Sequence, residues 1–313
     1  MTARFFIIFI LIALKTLPVF SAQDTVIIGV DVNSIAEIRL RDDRFVIEFQ
    51  LWFRYKNDTL DVFNSIGVLN SRAFNKGPVR KEKIGDQYWS TAKCNADIIY
   101  EWDLRSYPFI AQDVKIYIID TYHDSKELVF IADSVNSKLN KRLILNDWDL
   151  TSFGFHSGKV ESGSSFGNPS AGSYIFPAGV INFNLERKNP WLLIEKLLLP
   201  LWVSFLIALV VFWIVPTNVD PRFGLPSAAL FASVANKYII SEVSISLPYQ
   251  IYVERVHNHS FAFILCIIII SVISLYYCEN GKIAIYKKID KYSFYLILTA
   301  YLIDNLLMTF QII

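Results

Sequence analysis

Cysteine is scarce in this chain: Cys94, Cys266 and Cys278 are the only three among 313 residues, too few for a disulfide framework. Charge is scarce as well. Charged residues make up 19% of the chain, against about 25% in an ordinary soluble domain, while apolar residues reach 53% and mean hydropathy is +0.37. The excess apolar side chains must face something other than water. Neither sign of charge dominates, since 30 Lys and Arg nearly cancel 29 Asp and Glu. That balance removes the basic footprint a nucleic-acid binder needs. No Gly-rich phosphate loop, nucleophile elbow or pair of catalytic carboxylates stands out. His123, His156, His257 and His259 show no metal-ligand spacing. An enzyme, a cofactor and a metal are therefore not expected. Disorder is excluded, because 24 Phe, 16 Tyr and 7 Trp are too many for an unfolded chain. What remains is a membrane protein with a folded aqueous part.

Residues 1–22 read as a signal peptide. Arg4 precedes a run of about ten apolar residues, and the small residues Ser21 and Ala22 follow Pro18. The run is short for a spanning helix, although Lys15 also suits an uncleaved anchor. Residues 23–188 then form an exported β-rich domain. Val26, Ile28, Val30 and Val32 sit at a period of two, and residues 44–56 alternate Phe45, Ile47, Phe49, Leu51 and Phe53 with wetter side chains. That alternation predicts strands with one packed face. Further strands are expected over residues 88–100, 114–119, 127–131, 148–155 and 174–185, separated by turn-rich segments, so the domain reads as an antiparallel sandwich.

Residues 189–313 carry four expected spans. Residues 197–215 and 260–278 are 19-residue stretches without a charge, and residues 292–313 hold Asp304 alone. Each is long enough to cross about 30 Å of hydrocarbon. Residues 223–248 differ: they are rich in Gly, Ala and Ser and carry Lys237 and Glu242. Polar side chains at membrane depth are costly unless they face water or protein, and small residues let backbones approach. This segment belongs inside a bundle. With an exported N-terminus, four crossings put residues 279–291 in the cytoplasm, and their four lysines agree with the positive-inside rule.

Several ordered strings resemble the pentameric ligand-gated ion channels, the Cys-loop receptor superfamily in its prokaryotic form. Tyr107-Pro108-Phe109-Ile110-Ala111-Gln112 is similar to the family's Phe-Pro-Phe-Asp-x-Gln loop, after the aromatic-acidic stretch 100–104. The strand with Trp52 resembles the family's second sandwich strand. Arg187, Trp191 and Pro200 resemble its junction and first membrane helix, and Asp220-Pro221-Arg222 the start of its pore-lining helix. Ile110 departs from the usual Asp, and no cysteine pair brackets the loop, as in prokaryotic members. The resemblance implies an all-β extracellular sandwich of immunoglobulin-like type followed by an all-α four-helix transmembrane bundle. It implies a homopentamer in the plasma or inner membrane, multi-pass, with the N-terminal domain extracellular or periplasmic. The expected activity is an ion channel gated by a small-molecule agonist or by protons, conducting inorganic ions through a pore lined by helix 222–247. The competing reading is a non-conducting membrane sensor of the same fold that signals to a partner. A membrane-anchored binding module without five-fold assembly is a third.

At about 100° per residue, Gly224, Ala228, Phe231, Ala235, Tyr238 and Glu242 fall between about 160° and 240° from Arg222, forming one stripe. Lys237 lies well off it and is expected to pair with Asp304 or Glu195. Around a five-fold axis the stripe would show water a ring of Phe231, a ring of Tyr238 and a ring of Glu242, with Asp220 near the inner mouth. Phe231 is the expected gate, and Glu242 and Asp220 the expected selectivity residues, with Arg222 pulling the other way. The same stripe also suits tight helix packing, with Phe231 and Tyr238 as fillers. By position in the family, Tyr122 and His123 look like one ligand loop and Phe166 to Tyr174 like the capping loop. Trp52, Arg54 and Trp89 look like the opposite face, aromatics and a guanidinium suited to an amine or a carboxylate. Trp52 and Trp89 are residues more often found in a core than at a ligand. Coupling is expected where residues 31–35, Tyr107, Pro108, Phe109 and Arg187 meet residues 246–255, with Glu254 and Arg255 pairing across the junction.

Overall fold

The computed structural model describes residues 23–169, 172–244 and 248–311, the side chains of 239–244 excepted; the expected signal peptide lies outside them. The N-terminal part is built from two sheets. The larger runs β4 (Ser71–Lys76), β6 (Gln87–Ile99), β2 (Arg44–Tyr55), β1 (Asp24–Arg39) and β8 (Leu128–Ala132), with β5 (Arg80–Ile84) paired to β6 and β9 (Lys138–Leu139) to β1. The smaller runs β10 (Trp148–Glu161), β11 (Ile175–Arg187), β7 (Ala111–Asp120) and β3 (Ile66–Val68). In β2 the alternation is complete. Phe45, Ile47, Phe49, Leu51 and Phe53 are fully buried, and the residues between them are half-buried. Each such side chain contributes about 1.5–3 kcal/mol of burial, which pins the register of β2 on β1 and β6, since a one-residue slip would turn all five outward.

β3, β4, β5 and β9 were not expected. β4 and β5 read Ser-Arg-Ala-Phe-Asn-Lys and Arg-Lys-Glu-Lys-Ile, and every residue of β5 is exposed. Charged strands of this kind suit a sheet edge, where they discourage further pairing. β1 runs on to Arg39, as the extended spacing of Ile35, Ile38 and Leu40 implies, so residues 31–35 lie within the strand and the turn falls at 40–43.

Four long helices follow: α1 (Pro190–Leu209, continued by a 3₁₀ turn, Val210–Trp213), α2 (Val219–Ser244), α3 (Tyr252–Glu279) and α4 (Ile283–Phe310). Three of them are long and apolar enough to cross a membrane: α1 with its 3₁₀ turn, α3 and α4. α2 has the length, 26 residues, but its Gly, Ala, Ser, Asn and Lys content keeps it out of that class. α1 begins seven residues before the apolar run, with Pro190 in its first turn, where a missing N–H costs nothing. α4 begins nine residues before its run, because Lys287, Lys288 and Lys291 are good helix formers. The expected basic loop thus shrinks to residues 280–282, closed by Gly281 at φ +72°. α2 packs on α1 and α3, and α4 packs on α3. The domain core continues into the helices: Ile194, Leu198, Leu201, Tyr252, Val256 and Met308 belong to the same buried cluster as the β2 side chains.

Candidate functional site

α2 divides into two faces. Arg222, Pro226, Ala229, Ser233 and Asn236 recur at intervals of three and four and are buried. On the other side Gly224, Ala228, Phe231, Ala235 and Tyr238 are exposed, Phe231 to 76% and Tyr238 to 73%. Among the described residues nothing covers this stripe. Asp220 is exposed in the first turn of α2. The Glu242 side chain lies outside the described residues.

Polar side chains hold the buried face in place. Arg222 Nη2 meets Asp290 Oδ1 of α4 at 2.7 Å and Nη1 meets Oδ2 at 3.2 Å, while Nη1 also donates to the Ile214 carbonyl. The Arg222 side chain is fully enclosed and Asp290 nearly so. Arg222 is therefore turned into the bundle of its own chain, on the face of α2 away from the exposed stripe. The pairing satisfies charges that the fold has taken out of water. Asn236 Nδ2 donates to the Leu197 carbonyl at 2.8 Å and lies 3.0 Å from His257 Nε2, so one amide ties α2 to both α1 and α3. Lys237 does not reach Asp304 or Glu195. Its Nζ is 2.8 Å from Asn258 Oδ1 and 5.5 Å from the Phe261 ring centre. Asp304 meets His259 of α3 at 3.0 Å instead.

The junction between the two parts is aromatic. Phe45, Tyr100, Trp102 and Trp148 form a cluster at the base of the β domain, with Trp102 4.7 Å from Tyr100 and 6.0 Å from Trp148. The Arg187 guanidinium lies 5.2 Å over Trp148 and 3.5 Å from Asp147, and its backbone N–H donates to the Ile110 carbonyl. Tyr107 and Pro108, joined by a cis peptide bond, are buried, and burial pushes the Tyr107 phenol up from its ordinary value. Ile110, where the resembled loop has an acid, is buried in the same core. Phe109 packs edge-on against Trp191 of α1 at 4.8 Å. From the segment joining α2 to α3, the Tyr249 hydroxyl accepts from the Leu104 N–H at 3.0 Å and donates to the Trp102 carbonyl at 3.4 Å.

The Glu254 carboxylate accepts from the Ile251 N–H at the start of its own helix, an anion at a positive helix end. Arg255 Nη1 donates to Gln311 Oε1 at 3.3 Å.

The expected ligand residues fall into two groups on different sheets. Trp52 lies flat over Gly29 of β1, so close that a Cβ there would sit 2.2 Å from the ring. Trp52 Nε1 and Arg54 Nη2 both point at Asp133 Oδ2, at 3.4 and 3.5 Å. Trp89 stands opposite Arg54 on β6, with the Arg80 guanidinium 5.8 Å from its ring centre. These rings occupy the half-buried outer face of the larger sheet, outside the core.

On the smaller sheet, buried Asp120 organises the loop after β7. Its Oδ1 accepts from the Tyr122 and His123 N–H groups at 2.8 Å, and Ser65 donates to Oδ2 at 2.5 Å. Tyr122 is left 82% exposed, while the His123 ring turns back 3.1 Å from Asp120. Where β10 and β11 are joined, the rings of Phe166, Tyr174 and Phe176 lie 5.8 to 6.1 Å apart, Tyr174 stacked on Phe176 and Phe166 tilted against both. A cavity of about 560 Å³ opens beside them, lined by Leu69, Ile119, Thr121, Val160, Phe166 and Phe176 among others. Asp124 fixes the base of the hairpin. Burial pushes its carboxyl up, but the Lys126 and Ile175 N–H groups it accepts from bring it below its usual value.

Sequence reasoning missed Asp120 and the Arg222–Asp290 pair, and reached Tyr249 only as one of the residues of the expected coupling segment 246–255. Asp290 alone carried a signal, as an acid among four lysines. The chain matches no protein-family model, and no curated protein matches it.

Proposed function

We propose that this chain is one subunit of a homopentameric ion channel in the plasma or inner membrane, opened by a small-molecule ligand or by protons acting on the β domain. In this reading the β domain is an extracellular or periplasmic immunoglobulin-like sandwich, and α2 is a fourth span that crosses the membrane inside the assembly. The observation that carries it is the uncovered stripe of α2. A helix too polar to face lipid buries Arg222 and Asn236 against its neighbours and leaves Gly224, Ala228, Phe231, Ala235 and Tyr238 in the open. Five such stripes around an axis make a small-residue wall with two aromatic constrictions. Apolar constrictions gate by dewetting, and carboxylate rings favour cations. Phe231 is then the gate, and Asp220 and Glu242 select for cations, the more so because Arg222 is neutralised by Asp290. The ligand sits between neighbouring β domains, with Tyr122, His123, Phe166 and Tyr174 of one facing Trp52, Arg54 and Trp89 of the next. Binding there reaches α2 through Arg187, Phe109 and Tyr249. A ligand shifts the equilibrium only by its difference in affinity for the closed and open arrangements.

Single-channel recording after reconstitution tests the proposal. Phe231→Ala is expected to raise resting conductance or sensitivity. Pentamers without flux under any ligand or pH favour the non-conducting sensor, and a monomer favours an anchored binding module.

A further inference from the structure

The end of the helical bundle remote from the β domain holds a second cavity, of about 280 Å³, between the end of α1 and the start of α4. α1 leaves the domain at Pro190 and reaches this cavity at Trp213, whereas α4 passes it at Lys291 and returns to the domain core at Met308. Its walls include Trp213, Pro216, Tyr286, Lys287, Lys291 and Tyr295. The cavity sits where the sequence changes character: lysines 282, 287, 288 and 291 come before Tyr292, where the apolar run of α4 starts. In a helix long and apolar enough to cross a bilayer, that change marks the headgroup level, where Trp and Tyr collect. Trp213 and Tyr295 are 72% and 58% exposed there.

Lys287 and Lys291 stand one turn apart on the same helix face. Both are exposed, and among the described residues no ion pair engages either. The one acid in the cavity wall, Asp290, already has its charge met by Arg222. The net field in the cavity is therefore positive. Basic pockets between membrane helices suit phosphate headgroups. The cavity is too small for a whole lipid, so the acyl chains must leave along the exposed side chains Leu206, Val210 and Tyr295.

We propose that this cavity seats the phosphate headgroup of an anionic lipid from the leaflet remote from the β domain, with Lys287 and Lys291 as its cationic partners and Trp213 and Tyr295 at its rim. The assignment needs only that the helices lie in a bilayer, so it stands apart from whether α2 conducts. Native mass spectrometry of the full chain in detergent, titrated with phosphatidylglycerol, phosphatidylcholine or inorganic phosphate, tests it. Phosphatidylglycerol is expected to be retained over phosphatidylcholine. The pair Lys287→Gln and Lys291→Gln should weaken that retention about 25-fold, about 5-fold for each lysine. Lys287→Arg with Lys291→Arg should preserve it. Lys282→Gln with Lys288→Gln removes the same charge outside the cavity and should leave it within about 2-fold. Equal losses from the two glutamine pairs would reduce the effect to diffuse attraction and overturn the seat. Equal retention of the two lipids would do the same, and displacement by millimolar inorganic phosphate would make it a phosphate site rather than a lipid one.

Discussion

Replacing Asp290 by Asn would leave the Arg222 guanidinium enclosed without a counter-ion. The side chain of Arg222 is 0% exposed and that of Asp290 8%, and two N–O contacts of 2.7 and 3.2 Å join them. Both groups have already lost their water in the folded chain, so the variant keeps the desolvation cost of the arginine and loses what offset it. Breaking such a buried pair from one side costs about 3–5 kcal/mol. Arg222→Met is expected to cost a similar amount by stranding Asp290 and the Ile214 carbonyl. The double variant Arg222→Met with Asp290→Leu should lose less than either single one, because apolar partners of similar volume replace a buried pair at little cost. Denaturant unfolding of the four proteins in one detergent gives the cycle, with an expected coupling of about 3 kcal/mol or more. Additive losses, or single losses below the roughly 1 kcal/mol of a solvent-exposed pair, would refute the enclosed pairing of α2 with α4.

Gly29→Ala places a Cβ 2.2 Å from the Trp52 ring; the strain should cost about 1–3 kcal/mol in unfolding, and adding Trp52→Ala should remove most of that loss. Phe109→Ala and Trp191→Ala should show a coupling of about 0.5–1.5 kcal/mol in a double-mutant cycle, and no coupling would mean that the β domain and α1 do not grip each other there. Asp124 is held below its ordinary value of 3.8, so its contribution is present above that value and is lost as pH falls through the lowered one. Protection of the Ile175 N–H against hydrogen exchange should accordingly fall below about pH 4 and be low at every pH in Asp124→Ala.

Much of the architecture was readable because its signals are local. The period of two in residues 44–56 told which side chains of β2 are buried, and long apolar runs located three helices. On α2 the azimuths of Gly224, Ala228, Phe231, Ala235 and Tyr238 were enough to group residues that the fold leaves exposed together. Helix ends were less legible, since Pro190 and the lysines of α4 extend helices beyond their apolar runs. β4 and β5 were invisible because an edge strand draws its hydrogen bonds from β6, which asks nothing of its own side chains.

Periodicity along one element follows from the backbone geometry of that element, and the sequence alone therefore settled which face of β2 is packed and which segments are apolar enough to leave water. Pairing between elements depends on how helices and sheets approach across the fold. Only the tertiary structure decided that Arg222 goes to Asp290, that Asp304 goes to His259 and leaves Lys237 to Asn258, and that Tyr249 closes on the backbone of Trp102 and Leu104. Each of those partners was one of several groups of fitting chemistry, and distance in the folded chain made the choice.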